Sequence, residues 1–360
     1  AISCYKHDER GITTEITLLL TFSIGVIAHL RQYTLAAAIA IVAAIILYLK
    51  GTTRTLTERL EADDIQAVLK FAIISFVILP LFEPGFSVSL GDVTPLKAFF
   101  ERISPALSGI ELINPHTVWL MVVLISGIGF SGYIATKLLG SRKGIGLTGF
   151  LGGLASSTAT TLEFSKRSRD SAAHSVPFAL AILLACSTMF PRVLLEVLVV
   201  NPALIGSVAV TMGSMAAGGA AVCFYIWKKS SGEKTDEVPL KNPFYILPAV
   251  KFGLLYAAIV LLTRIVESLA GQGGIYIVSA LAGLSDVDPI TLTMSQISRD
   301  DPSKSGQATV AITLAVFSNT IMKGVLAATI GSARLRKMTL AGFAVILLSG
   351  AAGLAILFIL

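Results

Sequence analysis

Long apolar stretches separated by short polar loops run through this chain of 360 residues. Eleven stretches are long enough to cross about 30 Å of hydrocarbon as helices. They lie near 14–31, 34–50, 65–82, 117–138, 145–165, 176–199, 203–227, 245–269, 274–297, 306–329 and 337–360. This pattern predicts an all-α polytopic membrane protein, because stretches of this length exceed what buried core helices need.

Composition agrees with a bilayer environment. Hydrophobic residues make up 54% of the chain and charged residues 14%, which is more apolar surface than a soluble core can bury. The net charge of +6 resides in short loops, so it indicates topology and not a nucleic-acid partner. The three cysteines are scattered and predict neither disulfides nor a thiolate metal site. We expect a multi-pass protein of the bacterial inner membrane, in contact with lipid and able to form a homo-oligomer.

One polar segment occurs twice. Residues 151–170 align without a gap with residues 281–300, and nine of the 20 positions are identical. One helix later, residues 187–192 align with 318–323. The repeat predicts an N-terminal region with an external loop (1–116), a first copy (117–228), a linker (229–244) and a second copy (245–360).

The basic residues in the loops indicate how the two copies of the repeat are oriented in the membrane. Basic residues stand on both sides of segment 145–165: Lys137, Arg142 and Lys143 before it, and Lys166, Arg167 and Arg169 after it. Since positive loops stay on the cytoplasmic side, a broken or re-entrant segment fits better than a full span. The same break in 274–297 leaves nine spans and inverts the second copy, as in many secondary transporters. The alternative is eleven full spans with parallel copies.

The repeated segment carries the candidate chemistry. In the first copy a run of hydroxyl residues leads to Glu163, while the second copy has Asp286 and Asp288, followed by Pro289, which disfavours helix at the residue before it. Carboxylates, hydroxyls and amides are oxygen ligands that suit Mg²⁺ or Mn²⁺. The predicted metal ligands are Glu163, Asp286, Asp288, Ser157, Thr158, Thr161 and Asn319. Alternatively, the hydroxyls bond within and between helices and the acids cap helices near the membrane surface.

Each copy also places one basic residue inside an apolar segment, Arg192 in the first and Lys323 in the second. A charge there is expensive and requires a partner. We predict that both residues neutralise the acids when the cation is absent. Alternatively, Arg192 pairs with Glu196 one turn along its helix and Lys323 extends towards the membrane surface.

Several stretches resemble a known family. They are GITTEITLLLTFSIG, the run at 69–72, VWLMVVLISGIGFSGYIATKLLG, GLTGFLGGLASSTATTLEFSKRSR and SNTIMK. Together they resemble the large form of the MgtC/SapB family, in which an MgtC-like N-terminal region precedes a long membrane domain of unknown function. The resemblance covers nearly the whole chain, and the absence of the family's Gly-Leu-Glu-Arg type motif implies an N-terminal truncation. It also implies a link to magnesium and other divalent cations, although small members look like regulators of other membrane proteins.

The leading hypothesis is a secondary transporter or channel-like carrier of divalent metal cations, with proton coupling as an option and without a resident cofactor. One alternative is a membrane regulator that transports nothing, and another is an anion carrier, motivated by Arg192 and Lys323. We do not expect an enzyme, because Asp286 and Asp288 lie two positions apart beside a proline and the histidines are peripheral.

Overall fold

The computed structural model describes residues 12–31, 62–83, 86–89, 111–139, 145–171, 174–229 and 246–359, with single positions at 36, 39, 40 and 43. Residues 1–61 form a compact unit of their own, of which helix α1 (Ile12–His29) is described. A second unit comprises residues 62–360 and carries both copies of the repeat. Most of the predicted segment 34–50 and nearly all of the linker 229–244 lie outside the described residues.

The described part of the second unit is helical, apart from one pair of short antiparallel strands. Helix α2 (Ala62–Ala72) continues as a π-helix (Ile73–Ile78) and a 3₁₀ turn (Leu79–Leu81), and the strands are β1 (Val88–Ser89) and β2 (Glu111–Ile113). The remaining helices are α3 (Pro115–Leu139), α4 (Ile145–Asp170), α5 (Ser175–Ser187), α6 (Met189–Val200), α7 (Ile205–Lys229), α8 (Ile246–Ser285), α9 (Asp288–Asp300), α10 (Ser305–Ile330) and α11 (Ala333–Ile359).

Six helical stretches among the described residues are long and apolar enough to cross a membrane. They are Pro115–Ile134, Ser175–Val200, Pro202–Lys228, Ala249–Ser285, Pro302–Ile330 and Ala333–Ile359. The prediction of an all-α, multi-pass membrane protein is therefore confirmed. The described residues hold fewer candidate spans than the nine to eleven expected. Helix α4 is not among them, because its hydroxyl and charged residues lower its hydropathy.

Close helix packing positions the repeated segments. Helix α4 packs on α5, and α8 packs on α10. A Cβ atom added at Gly153 would lie 2.4 Å from the Cα atom of Ala185, and one at Gly283 would lie 2.3 Å from the carbonyl oxygen of Ala315. Gly153 and Gly283 are aligned positions of the repeat, so both copies dock against the following apolar helix through a backbone contact that a larger residue would prevent.

Helix α4 is interrupted where its hydroxyl run begins. Ser156 has extended backbone angles (φ −166°, ψ 105°). A Cβ atom at Gly152 would lie 2.8 Å from Thr160 Oγ1, whereas eight residues of straight helix rise about 12 Å. The helix therefore bends sharply at Ser156.

The second copy is interrupted at two places. Gly271 within α8 has a positive φ of 60°, a conformation that favours glycine, and helix stops again between Ser285 and Asp288. The second interruption contains Asp286, which aligns with Ser156, so helix is lost at the same position of both copies. The inverted arrangement of the copies stays a prediction.

Helix α9 ends in a polar cap. The hydroxyl and backbone N–H of Ser303 donate hydrogen bonds to the carboxylate of Asp301, at 2.6 and 3.1 Å. These two bonds hold the pKa of Asp301 below its usual value, because they stabilise the ionised form. Asp301 therefore remains a charged cap just before the next apolar helix.

Candidate functional site

The polar segments of both copies meet at one cavity of about 400 Å³. Helices α3, α4, α6, α8, α9 and α10 contribute to its lining. Its polar lining residues are Ser126, Ser156, Ser157, Thr158, Arg192, Ser285, Asp286, Asp288, Asn319 and Lys323. Residues that lie 130 positions apart in the sequence thus surround the same space, which is large enough for a partly hydrated ion or a small solute.

Arg192 connects two buried carboxylates across the cavity wall. Its guanidinium group donates a hydrogen bond to Asp288 and lies 3.3 Å from Glu196 Oε1. Asp288 is 1% exposed and Glu196 is fully buried. Both sequence interpretations of Arg192 are therefore realised together, since it neutralises an acid of the other copy and pairs with Glu196 on its own helix.

Asp286 lies beside this network without joining it. Its Oδ1 atom is 3.4 Å from the backbone N–H of Asp288, and the side chain is half-buried. Among the described residues, no basic group lies within 4.0 Å of its carboxylate, whereas Arg192 neutralises Asp288. Asp286 is therefore the acidic side chain of the lining that is best placed to receive a cation.

Three neutral predicted ligands also line the cavity. Asn319 donates its amide N–H to the carbonyl oxygen of Gly283 at 2.8 Å, which leaves its amide oxygen for another partner. Ser157 and Thr158 follow directly on the interruption in α4, where Ser156 Oγ accepts a hydrogen bond from the backbone N–H of Ala159 at 3.3 Å. Ser156 thereby caps the second half of α4 and holds the two hydroxyl residues at the start of a helix.

Lys323 is buried in the cavity wall. Its side chain is 2% exposed, and its ammonium group lies 3.5 Å from the thioether sulfur of Met189. Among the residues that the structure describes, no carboxylate lies within 4.0 Å of this ammonium group. The interpretation that Lys323 extends to the membrane surface is wrong, because the side chain is enclosed by protein next to the cavity.

Two predicted ligands lie away from the cavity lining. The Glu163 side chain is 48% exposed and pairs with Arg167, 2.7 Å from its Nε atom. Thr161 is buried, but its hydroxyl group donates to the carbonyl oxygen of Ser157 at 2.8 Å. The bend in α4 explains both placements: residues next to Ser156 face the cavity, and those one turn or more beyond it do not.

The possible metal ligands are spread around the cavity. Within the described ranges, no group of three or more histidine, cysteine, aspartate or glutamate side chains is close enough to hold a metal ion. A cation in this cavity would therefore need hydroxyl, amide and water oxygens beside the carboxylates, as Mg²⁺ commonly does.

Sequence reasoning missed three polar lining residues as members of the site: Ser126 on α3, and Ser156 and Ser285 beside the interruptions. Ser156 stands in the hydroxyl run, and Ser285 directly precedes Asp286. The available signal was their position beside the two interruptions, since broken backbone inside a membrane protein lies where it faces protein or water.

Comparisons with known proteins place the chain in a family. A family model described as "Domain of unknown function (DUF4010)" matches residues 123–331, which include every residue of the cavity lining. An "Uncharacterized protein" of Aquifex aeolicus (strain VF5) is 32% identical over 199 residues, which cover 54% of this chain and 86% of the relative. No solved structure matches the chain.

Proposed function

This chain belongs to the DUF4010 family, and we propose that it is a secondary transporter that carries a hard divalent cation, such as Mg²⁺ or Mn²⁺, through the central cavity. One observation carries the proposal: two separated, interrupted polar segments converge on a cavity that long apolar helices also line. Interrupted helices that meet around ionisable groups are typical of secondary transporters.

The charges around the cavity favour a cation. Asp286, Asp288 and Glu196 carry three negative charges when ionised, whereas Arg192 and Lys323 carry two positive charges. One negative charge is therefore left without a counter-charge in a low-dielectric environment. A cation or a proton compensates this excess, and an acid left alone there would be unfavourable.

Arg192 can neutralise the site when no cation is bound. We propose that the arriving cation takes the place of Arg192 on Asp288 and is also bound by Asp286, Asn319 and the hydroxyl groups of Ser157 and Thr158. Arg192 then remains paired with Glu196, one turn further along α6. When the cation leaves, Arg192 returns to Asp288, so the carboxylate has a positive partner throughout the cycle.

The proposed transport movement is based on the repeat. In an inverted arrangement, the two copies would open the cavity alternately to the two sides of the membrane. The sharp bend at Ser156 and the aligned loss of helix at Asp286 support this arrangement, because they leave two short half-helices ending at the cavity in each copy. The glycine contacts of Gly153 and Gly283 would keep each broken segment attached to its neighbouring helix.

The resemblance to the large form of the MgtC/SapB family agrees with this proposal through that family's association with divalent cations. The same resemblance includes small members that look like regulators. The experiment below therefore measures movement of the ion directly.

Purified protein in liposomes that contain a metal-sensitive dye is expected to give Mn²⁺ or Mg²⁺ uptake well above that of protein-free liposomes. Uptake should saturate with cation concentration, because the ion binds a discrete site. An imposed pH gradient tests proton coupling in the same vesicles. Uptake no faster than in protein-free liposomes for every divalent cation tested would contradict the proposal and favour a regulator.

A further inference from the structure

We propose that the cavity also holds a small anion, at a second site formed by Lys323 and the start of the second half of α4. The anion is an oxyanion or the carboxylate of a small solute. This site goes beyond the cation site, because it rests on Lys323 and on backbone N–H groups of α4, which bind no cation, and its occupation can be measured without any transport.

Lys323 is the first observation. Its side chain is 2% exposed and lines the cavity, and its ammonium group has the thioether of Met189 as its hydrogen-bond partner at 3.5 Å. A thioether sulfur is a weak acceptor and carries no charge. A buried ammonium group normally has a carboxylate partner. Asp286 of the same cavity attracts Lys323, but among the described residues no carboxylate lies within 4.0 Å of the ammonium group.

The repeat shows which partner is missing. Lys323 aligns with Arg192, and Arg192 is bonded to Asp288. Asp288 in turn aligns with Thr158, a neutral residue of the first copy that lines the same cavity. By the alignment, the position of the carboxylate that partners Arg192 is a hydroxyl residue in the first copy, and an anionic ligand would supply the carboxylate's charge beside Lys323.

The start of a helix is the second component of the site. Backbone N–H groups in the first turn of a helix have no partner within the helix, and the helix dipole adds a partial positive charge there. Ser156 caps this turn, Ser157 and Thr158 begin it, and all three line the cavity. The hydroxyl group of Ser156, which is not a proposed cation ligand, can donate a further hydrogen bond to an oxygen of the anion.

A cation and an anion in the same cavity would support each other. With one unmatched negative charge in the surrounding groups, a divalent cation leaves one positive charge in excess, and a monovalent anion balances it. Binding of one ion is therefore expected to raise the affinity for the other, and this coupling is reciprocal. A cavity of about 400 Å³ has room for a small cation and a small anion together.

The test measures anion binding to purified protein in detergent by calorimetry, with sodium sulfate, sodium phosphate and sodium acetate as probes and sodium chloride as the background salt. We expect at least one probe to bind, and Lys323→Met to weaken its binding by about tenfold or more, as removal of a charged partner does. Lys166→Met is the matched control, because Lys166 is an exposed lysine of α4, and it should bind like the unaltered protein.

Thr158→Asp is the second variant. It gives Lys323 a carboxylate at the position that aligns with Asp288, so it should abolish anion binding while Lys323 is retained. Mn²⁺ binding is measured on the Lys323→Met samples, which retain every proposed cation ligand, and this separates the anion site from the proposed cation site. Anion affinity that is unchanged in both variants, or no binding of any probe by the unaltered protein, would overturn the proposal even where Mn²⁺ binds.

Discussion

Mn²⁺ uptake into proteoliposomes is expected to fall at least about tenfold when Asp286 is replaced by asparagine. Loss of residues that merely support a metal ligand commonly reduces affinity by about 10-fold to 100-fold, so removal of a charged ligand should cost at least as much. Asp286 is the lining carboxylate without a basic group in ion-pair distance among the described residues, which makes it the principal charged ligand. Because asparagine keeps the shape of the side chain, the loss should appear with little change in thermal stability.

The control for this variant is Asp170→Asn. Asp170 is an exposed aspartate at the end of α4 and is not a lining residue. We expect uptake in this variant to match that of the unaltered protein. Equal uptake in Asp286→Asn and Asp170→Asn would show that the cavity does not bind the transported ion through Asp286.

Arg192→Met is expected to be the most destabilising single change at the site. It leaves Asp288 and Glu196 buried without a positive partner, and removal of one member of a buried ion pair typically costs about 3 to 5 kcal/mol. Unfolding in detergent, followed by temperature or denaturant, measures this loss. Millimolar Mn²⁺ should restore part of the stability, since in our proposal the cation replaces Arg192 at Asp288.

Two further variants test whether the stability loss of Arg192→Met comes from its buried ion pairs. Arg167→Met removes the guanidinium group from another arginine–glutamate pair of the same spacing. The side chains of that pair are 32% and 48% exposed, so we expect a loss below about 1 kcal/mol. The double variant Arg192→Met/Asp288→Asn should recover stability relative to Arg192→Met, because it also removes one unpaired carboxylate. Similar losses for Arg192→Met and Arg167→Met would contradict the buried network.

Much of the site followed from the repeat. The sequence predicted that the segments around Ser157 and Asp288 share a site, since duplicated polar segments in an apolar chain mark binding regions of transporters. The structure places five of the seven predicted ligands on one cavity: Ser157, Thr158, Asp286, Asp288 and Asn319. The two residues that were predicted to compensate charge, Arg192 and Lys323, line the cavity as well.

The placement of Glu163 could not be predicted in the same way. Glu163 follows the hydroxyl run by a few residues and resembles a ligand in the sequence, but the bend in α4 carries it to an exposed position beside Arg167. The direction of a bend depends on tertiary contacts, here the close approach of Gly153 to α5, and not on the periodicity of α4 itself. The sequence therefore identified the segment that contributes to the site, but not which residues of that segment face the cavity.

The sequence also could not predict that Arg192 pairs with Asp288. Spacing alone predicts the bond to Glu196 on the same helix, whereas the bond to Asp288 joins residues 96 positions apart. The sequence offered several acids as partners, and only packing of α6 against α9 selects one. Lys323, the residue that aligns with Arg192, has the thioether of Met189 as its hydrogen-bond partner instead of a carboxylate, which motivates the anion site.

Labelling of a single cysteine at position 158 from each side of the membrane tests the central claim most directly. Thr158→Cys, in protein whose native cysteines are replaced by alanine, should react with a membrane-impermeant thiol reagent added from either side, because the cavity opens alternately. Mn²⁺ should slow the reaction, and Thr161→Cys, buried outside the lining, should stay unreactive. Reaction of Thr158→Cys from one side alone, at a rate that Mn²⁺ leaves unchanged, would contradict a transport pathway through this cavity.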